Sequence, residues 1–284
     1  TRNIPKNGGK TIEFRKYDQL PKAMTPLTEG VTPTGKEMNV TKIEATVKQY
    51  GDFIELSDLL ILTAIDNNIV EATTLIGSQA GRTLDTISRE VLAAGTNVQY
   101  AEGQVTSRAA LTPEMKLTVK AVKKAVRFLK KQNAKKINGY YYGIVHPDCS
   151  YDLTEDARWI DAVKYKNPER IYNGEIGEIE GARFVETTEA KIWAKAGAAK
   201  STSDTTKIDV YGTLIFGANA YATTKIEGGG LKTIIKQLGS AGTGDPLDQR
   251  ATVGWKALKV TEILTEAYMI RIETASTFSD GEAN

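Results

Sequence analysis

The chain has 284 residues, 40% of them hydrophobic, and its 37 basic and 35 acidic side chains leave a net charge of +2. That is the composition of a folded protein with ample material for a core. No run approaches the ~20 apolar residues of a membrane-spanning helix. A single cysteine, Cys149, excludes an internal disulfide; a single histidine, His146, argues against a Cys/His zinc site and leaves one candidate for histidine acid–base work.

The charge is unevenly placed. Residues 1–22 hold six basic side chains against Glu13 and Asp18, and residues 112–136 hold nine against Glu114, so the remainder is net acidic. A chain built to grip nucleic acid is more often basic throughout. This distribution suits contact between unlike surfaces, or solvated faces.

In chain order, the opening from Thr1 to Lys10 is polar and Gly-containing, with no secretory signal expected. Residues 10–18 alternate through Ile12 and Phe14, and residues 42–48 alternate through Ile43, Ala45 and Val47. Both read as strands. Pro21, Pro26, Gly30, Pro33 and Gly35 punctuate the stretch between them, so a long, loose hairpin arm is expected. Ser57 is a plausible cap for a helix carrying Leu62, Ile65, Ile69, Ala72, Ile76, Ala80, Leu84, Ile87 and Val91 at spacings of three and four. Gly95 stops it, giving a rod of roughly 45 Å that Gly77 and Gly81 would weaken.

A second helix is expected at about 113–133, with Pro113 in its first turn. Its apolar side is Leu117, Ala121, Val122, Ala125, Val126 and Leu129, and lysines cover the rest. Tyr140 to Val145 reads as a buried strand and Asp148 to Asp156 as a helix capped by Asp148. Residues 173–187 combine Gly turns with a short strand. Residues 196–206 read as a surface loop, Val210 to Phe216 as a strand or buried segment, and residues 239–246 as another flexible loop. A last strand is expected at about 266–274, with Tyr268, Ile270 and Ile272 on one side.

The candidate chemistries are thin. His146 and Cys149 lie three apart, but His-Pro-Asp-Cys after a strand reads more simply as a strand-to-helix turn. The Gly239–Pro246 and Gly228–Gly230 runs lack the Lys-Ser/Thr of a phosphate loop and do not lead into a helix. The basic helix has Phe128 as its only aromatic, where single-strand binding favours a ladder of them. Glu155 and Asp156 sit on a predicted helix surface with nothing to hold them in a cleft.

More specific is the order of parts. It is carried by Pro26-Leu-Thr-Glu-Gly-Val-Thr-Pro-Thr-Gly, Gln49-Tyr-Gly-Asp-Phe-Ile-Glu-Leu-Ser-Asp, and Asp85-Thr-Ile-Ser-Arg-Glu-Val-Leu-Ala-Ala-Gly-Thr. Tyr142-Gly-Ile-Val-His-Pro-Asp, Gly174-Glu-Ile-Gly-Glu-Ile-Glu-Gly-Ala-Arg-Phe-Val-Glu-Thr, Asp209-Val-Tyr-Gly-Thr-Leu-Ile-Phe-Gly and Gly254-Trp-Lys follow. Together they resemble the major capsid protein of tailed phages, and more narrowly the branch of podovirus-like and related phages.

The resemblance implies an α+β fold: an N-terminal arm (1–20), an extended loop overlapping a neighbouring subunit (21–46), and a peripheral domain (47–95 and 226–284) with a spine helix at about 58–94. An axial domain (96–225) completes it. It implies a self-assembling icosahedral shell, in the virion, around a double-stranded DNA genome, made in the host cytoplasm from hexamers and pentamers of this chain. Portal, scaffolding or decoration proteins are the further partners it suggests, with non-specific DNA contact by the basic segments. It implies no catalytic residue, cofactor, metal or membrane. Family members usually carry more sequence upstream, which leaves open a cleaved leader or a disordered arm.

Candidate contacts between copies are Thr28, Glu29, Gly30 and Val31 at the loop bend, acidic Glu175, Glu178 and Glu180, and basic Lys120, Lys124 and Arg127, the last two groups facing each other across an interface. Two alternatives stand beside the shell: a non-viral compartment of the same fold enclosing cargo enzymes, and a soluble nucleic-acid-binding protein using helix 113–133.

Overall fold

The computed structural model describes residues 2–17, 20–160, 176–240, 242–279 and 281–284. In chain order the elements are β1 (Arg2–Ile4), β2 (Thr11–Tyr17), β3 (Val40–Thr46), β4 (Lys48–Ser57), α1 (Asp58–Thr63), α2 (Asn68–Ala93), β5 (Val98–Tyr100), α3 (Val119–Lys131) and β6 (Tyr141–Val145). Then follow α4 (Pro147–Thr154), β7 (Glu178–Ile179), β8 (Ala182–Glu186), β9 (Ile192–Trp193), β10 (Val210–Phe216), β11 (Tyr221–Ile226), β12 (Lys232–Lys236), β13 (Arg250–Ile263) and β14 (Met269–Thr274).

The spine helix is shorter than its stripe. Ser57 caps α1 as expected, its hydroxyl accepting the Leu60 N–H at 3.2 Å. The chain then leaves the helix at Ala64 and restarts after Asn67. Asp66-Asn67-Asn68 is the cause: short polar side chains compete with the backbone for its own hydrogen bonds and favour helix ends. Leu62 and Ile65 are therefore exposed rather than part of a buried face. The 26 residues of α2 span about 39 Å, running unbroken through Gly77 and Gly81.

Ala72, Ile76 and Ala80 of α2 are buried against Leu56 of β4 and Ala251, Val253, Trp255 and Ala257 of β13. Here β13, the longest strand, pairs antiparallel with β4 along Arg250–Lys259, with β12 at Thr252–Lys256 and with β11 at Val260–Ile263. Gln79 ties the helix to both strands: its Nε2 donates to Asp52 at 2.7 Å, and its Oε1 accepts from the Trp255 indole at 3.1 Å.

A second layer is the seven-stranded sheet β5-β14-β10-β6-β8-β7, with β9 also pairing with β10. The apolar side of α3 expected from the sequence packs here: Leu117, Ala121, Val122, Ala125, Val126 and Leu129 are all buried. Its start differs. Pro113 lies in the preceding turn, and the cap is Thr118, whose hydroxyl accepts the Ala121 N–H at 3.2 Å. Asp156 reinforces it by accepting the Val119 N–H at 2.9 Å, so this carboxylate is a structural cap rather than a surface charge. In α4 the cap is His146, not Asp148, with Pro147 in the first turn.

Two placements depart from the expected domain division. Residues 269–274, expected among the peripheral strands, lie between β5 and β10 in the seven-stranded sheet, and Tyr268 sits in the 3-10 turn before them. The N-terminal arm is not wholly loose: β1 pairs parallel with β11, Ile4 is buried, and β2 pairs with β3 across seven positions. The root of that hairpin is anchored by Phe14 and Ala45 packed with Ala222. Residues 20–39, beyond the paired strands, carry no regular structure and are exposed throughout.

Candidate inter-subunit surfaces

At the far end of the β2–β3 hairpin, Thr28-Glu29-Gly30-Val31 forms a tight turn closed by the Val31 N–H on the Thr28 carbonyl at 3.2 Å. Gly30 takes φ +76°, a left-handed conformation that suits glycine, which explains its place at the bend. The loop leading to and from this turn presents apolar side chains to solvent: Met24 is 81% exposed, Leu27 78%, Val31 63% and Met38 66%. Exposed apolar residues scattered singly are ordinary, and these four fall along one extended segment.

The basic helix is less available than its composition suggests. Lys120 Nζ lies 2.6 Å from Glu102, and Lys124 Nζ donates to the Glu102 carbonyl at 2.8 Å. The Lys120 ammonium, helped by the Thr118 hydroxyl, holds the Glu102 carboxyl below its usual range. Arg127 is exposed and lines an open cavity of about 450 Å³, with Lys124, Phe128 and Val105.

The acidic segment also turns inward. Lys123 reaches Glu180 at 3.1 Å within the same chain. One contact between acidic turn and basic helix therefore lies within the subunit, where Ile179 and Ala182 beside the turn pack in the same core as α3. Glu178 stands opposite Arg183 in the β7–β8 register. Glu175 lies outside the described residues. Gly177 and Gly181 have positive φ, as does Glu180, so the segment bends where glycines were expected to let it.

His146 and Cys149 each hold a place in the fold. His146 Nδ1 accepts the Asp148 N–H at 3.2 Å as the helix cap, and its ring lies tilted on Tyr211 with centroids 5.2 Å apart. Cys149 is fully buried, burial pushes its thiol well above the usual range, and its sulfur sits 3.7 Å from the Thr274 hydroxyl. Such a thiol is an inert core residue.

Two structural sites carried no signal in the sequence. Glu273, fully buried, takes Arg271 Nε at 2.8 Å and both Nε and a terminal nitrogen of Arg108 at 2.7 and 2.8 Å. Arg271 also donates to the Ala93 and Gly95 carbonyls at the end of α2, and Arg108 lies 3.8 Å over the Trp193 ring. Arg89, buried on α2, donates to the Glu189 carbonyl at 2.6 Å, beside the Lys191–Glu90 pair at 2.8 Å. Both sites join the spine helix to the seven-stranded sheet. Their contacts across the two layers join residues about 100 to 178 apart, beyond the reach of spacing arguments.

Among the described residues, no group of three or more His, Cys, Asp or Glu is placed to hold a metal, and no helix is long and apolar enough to cross a membrane.

Comparison with known proteins follows the same lines. The sequence family described as phage capsid protein matches residues 69–238, more than half of the chain. No curated protein sequence matches. The fold is similar to that in the capsid of Ralstonia phage GP4, at 14% identity and a TM-score of 0.72, covering 98% of this chain and 87% of that one. It is similar to the capsid of cyanophage Pam1, at 10% identity and a TM-score of 0.71 over 94% and 85% of the two chains. The head structure of Helicobacter pylori bacteriophage KHP40 matches at 13% identity and a TM-score of 0.66, over 96% and 87%. These likenesses establish the fold, and the sequence match establishes the family: the chain belongs to the phage capsid proteins.

Proposed function

We propose that the chain works by assembly alone, joining copies of itself as hexamers and pentamers into an icosahedral shell around double-stranded DNA, with the loop 21–46 lying against a neighbouring copy. The observation that carries this reading is the line of exposed apolar residues from Met24 to Met38, which the subunit's own body leaves uncovered. A loop of that composition gains by burial only on another surface. In the free subunit, amides of residues 21–39 are expected to exchange within seconds, and in the shell at least ten times more slowly. Equal rates in both states would defeat the inter-subunit role. Glu29, at the tip, faces a Lys or Arg of the neighbour in this reading.

The α2–β4–β13 layer serves as the peripheral domain. The seven-stranded sheet with α3 and α4 serves as the axial domain, which then includes residues 269–274 as well as 96–225.

The absence of turnover in this reading is supported by what the two reactive side chains do. Cys149→Ala is expected to leave shells intact, and the wild-type thiol to resist maleimide until the subunit unfolds. His146→Ala should cost about 1 kcal/mol, the value of a helix cap. Loss of a measurable turnover in either variant, with shells still forming, would show that the protein is an enzyme.

A further inference from the structure

Residues 277–279 and 281–284 are held mainly by polar contacts, beside one edge-on contact of Phe278 with Tyr151 at 5.3 Å. Thr277 donates its N–H to Asp152 at 3.0 Å and its hydroxyl to the other carboxylate oxygen. The Phe278 carbonyl accepts from the Tyr211 hydroxyl at 3.2 Å. Asp209 is 1% exposed, and three donors satisfy its carboxylate: the Lys195 N–H at 2.7 Å, the Ser279 hydroxyl at 2.9 Å and the Gly281 N–H at 2.7 Å. Two of the three come from this segment. A buried carboxylate without its donors is costly, so Asp209 holds the segment in place.

The segment ends its path at a three-way joint. Asn284 donates its amide to the Thr188 and Ala190 carbonyls, and its Oδ1 accepts the Ile192 N–H at 2.9 Å. Its main-chain oxygen accepts from Arg89 of α2 at 3.1 Å. The opposite side of the same 188–192 stretch is gripped by α2 itself, through Arg89 on the Glu189 carbonyl, Lys191 on Glu90, and Thr86 on Glu189 at 3.3 Å. Asn284 therefore touches both the helix and the sheet where they meet, while remaining exposed.

We propose that residues 277–279 and 281–284 form an internal latch that fixes the angle between the spine helix and the seven-stranded sheet. Because no latch residue belongs to the apolar clusters of either layer, it opens without opening either core. A subunit with the latch released keeps its fold but loses the single angle that identical contacts in a closed shell require. The consequence for the shell rests on the assembly reading above; the latch itself is tested on the free subunit.

Asn284→Ala removes the joint contact at an exposed position, and Ser279→Ala removes one donor from Asp209 independently. Each variant is measured for thermal unfolding, for amide exchange in the free subunit, and for particle diameter by electron microscopy. The expected result is a thermal midpoint within a few degrees of the parent, at least tenfold faster exchange at Gly281 and Ile192, and a broadened diameter distribution. Glu282→Gln, on the same segment, should change none of these. Unchanged exchange at Ile192 in both variants would overturn the latch, since the joint would then hold without it. Faster exchange with particles of the parent's uniform diameter would overturn its role in setting the angle. Failure of the parent chain itself to form particles would count against the assembly reading, with the exchange result still deciding the latch.

Discussion

Replacing Glu273 by Ala is expected to destabilise the subunit by about 3–5 kcal/mol, the cost of removing one partner from a buried ion pair. Glu273 has no exposed surface and accepts from two guanidinium groups at 2.7 to 2.8 Å. Without it, Arg108 has a way out, because a third of its side chain already reaches solvent. Arg271 does not: it is 7% exposed and fixed to the carbonyls at the end of α2. The variant would leave one uncompensated charge at the seam of the two layers. Its urea midpoint should fall markedly, since that loss is a large share of a typical domain's ~5–15 kcal/mol. Glu273→Gln keeps the shape and one acceptor, so its loss should be smaller. Trp193, stacked under Arg108, gives a local fluorescence signal for the same event. A Glu273→Ala subunit within 1 kcal/mol of the parent would mean that the cluster relaxes freely and does not rivet the layers.

What the sequence made legible, and what it hid, divides along physical lines. The apolar face of α3 was legible residue by residue, because a helix on a sheet repeats its burial every three to four positions. The loop bend at Glu29-Gly30 was legible because one left-handed residue needs glycine. The two central strands were not. Every residue of β14 is buried, so Arg271 and Glu273 sit where alternation would place surface charges. In β13, Val253, Gly254 and Trp255 are buried in succession between β4 and β12 beneath α2, again without a period of two. The break at residues 64–67 was hidden for the opposite reason: Leu62 and Ile65 continue the helical spacing into a stretch that tertiary packing never covers. For the candidate contacts, composition identified the basic and acidic segments, but their pairing inside one chain through Lys123 and Glu180 depends on strands β7 and β8 and has no local signature.

Ile76→Asp places the second large effect on the other layer. Ile76 is 1% exposed, packed in the cluster of Leu56, Val253 and Trp255 under α2. A carboxylate there loses the apolar burial of the isoleucine, roughly 1.5–3 kcal/mol. It also has to be desolvated or protonated in an apolar cluster, and the Gln79 amide one turn on is already bonded to Asp52 and the Trp255 indole. The combined cost of several kcal/mol is comparable to the whole stability of a domain, and insoluble subunits are expected. Leu75, its neighbour in sequence, is 64% exposed on the opposite side of the helix. Leu75→Gln should stay within about 0.5 kcal/mol in free-subunit unfolding, as surface substitutions do. Ile69, only half-buried near the start of α2, should fall between the two when changed to Asp. Soluble Ile76→Asp subunits with a normal urea midpoint would show that the stripe is not held against β13, and with it the argument for α2 as the stiff element of the shell subunit would fail.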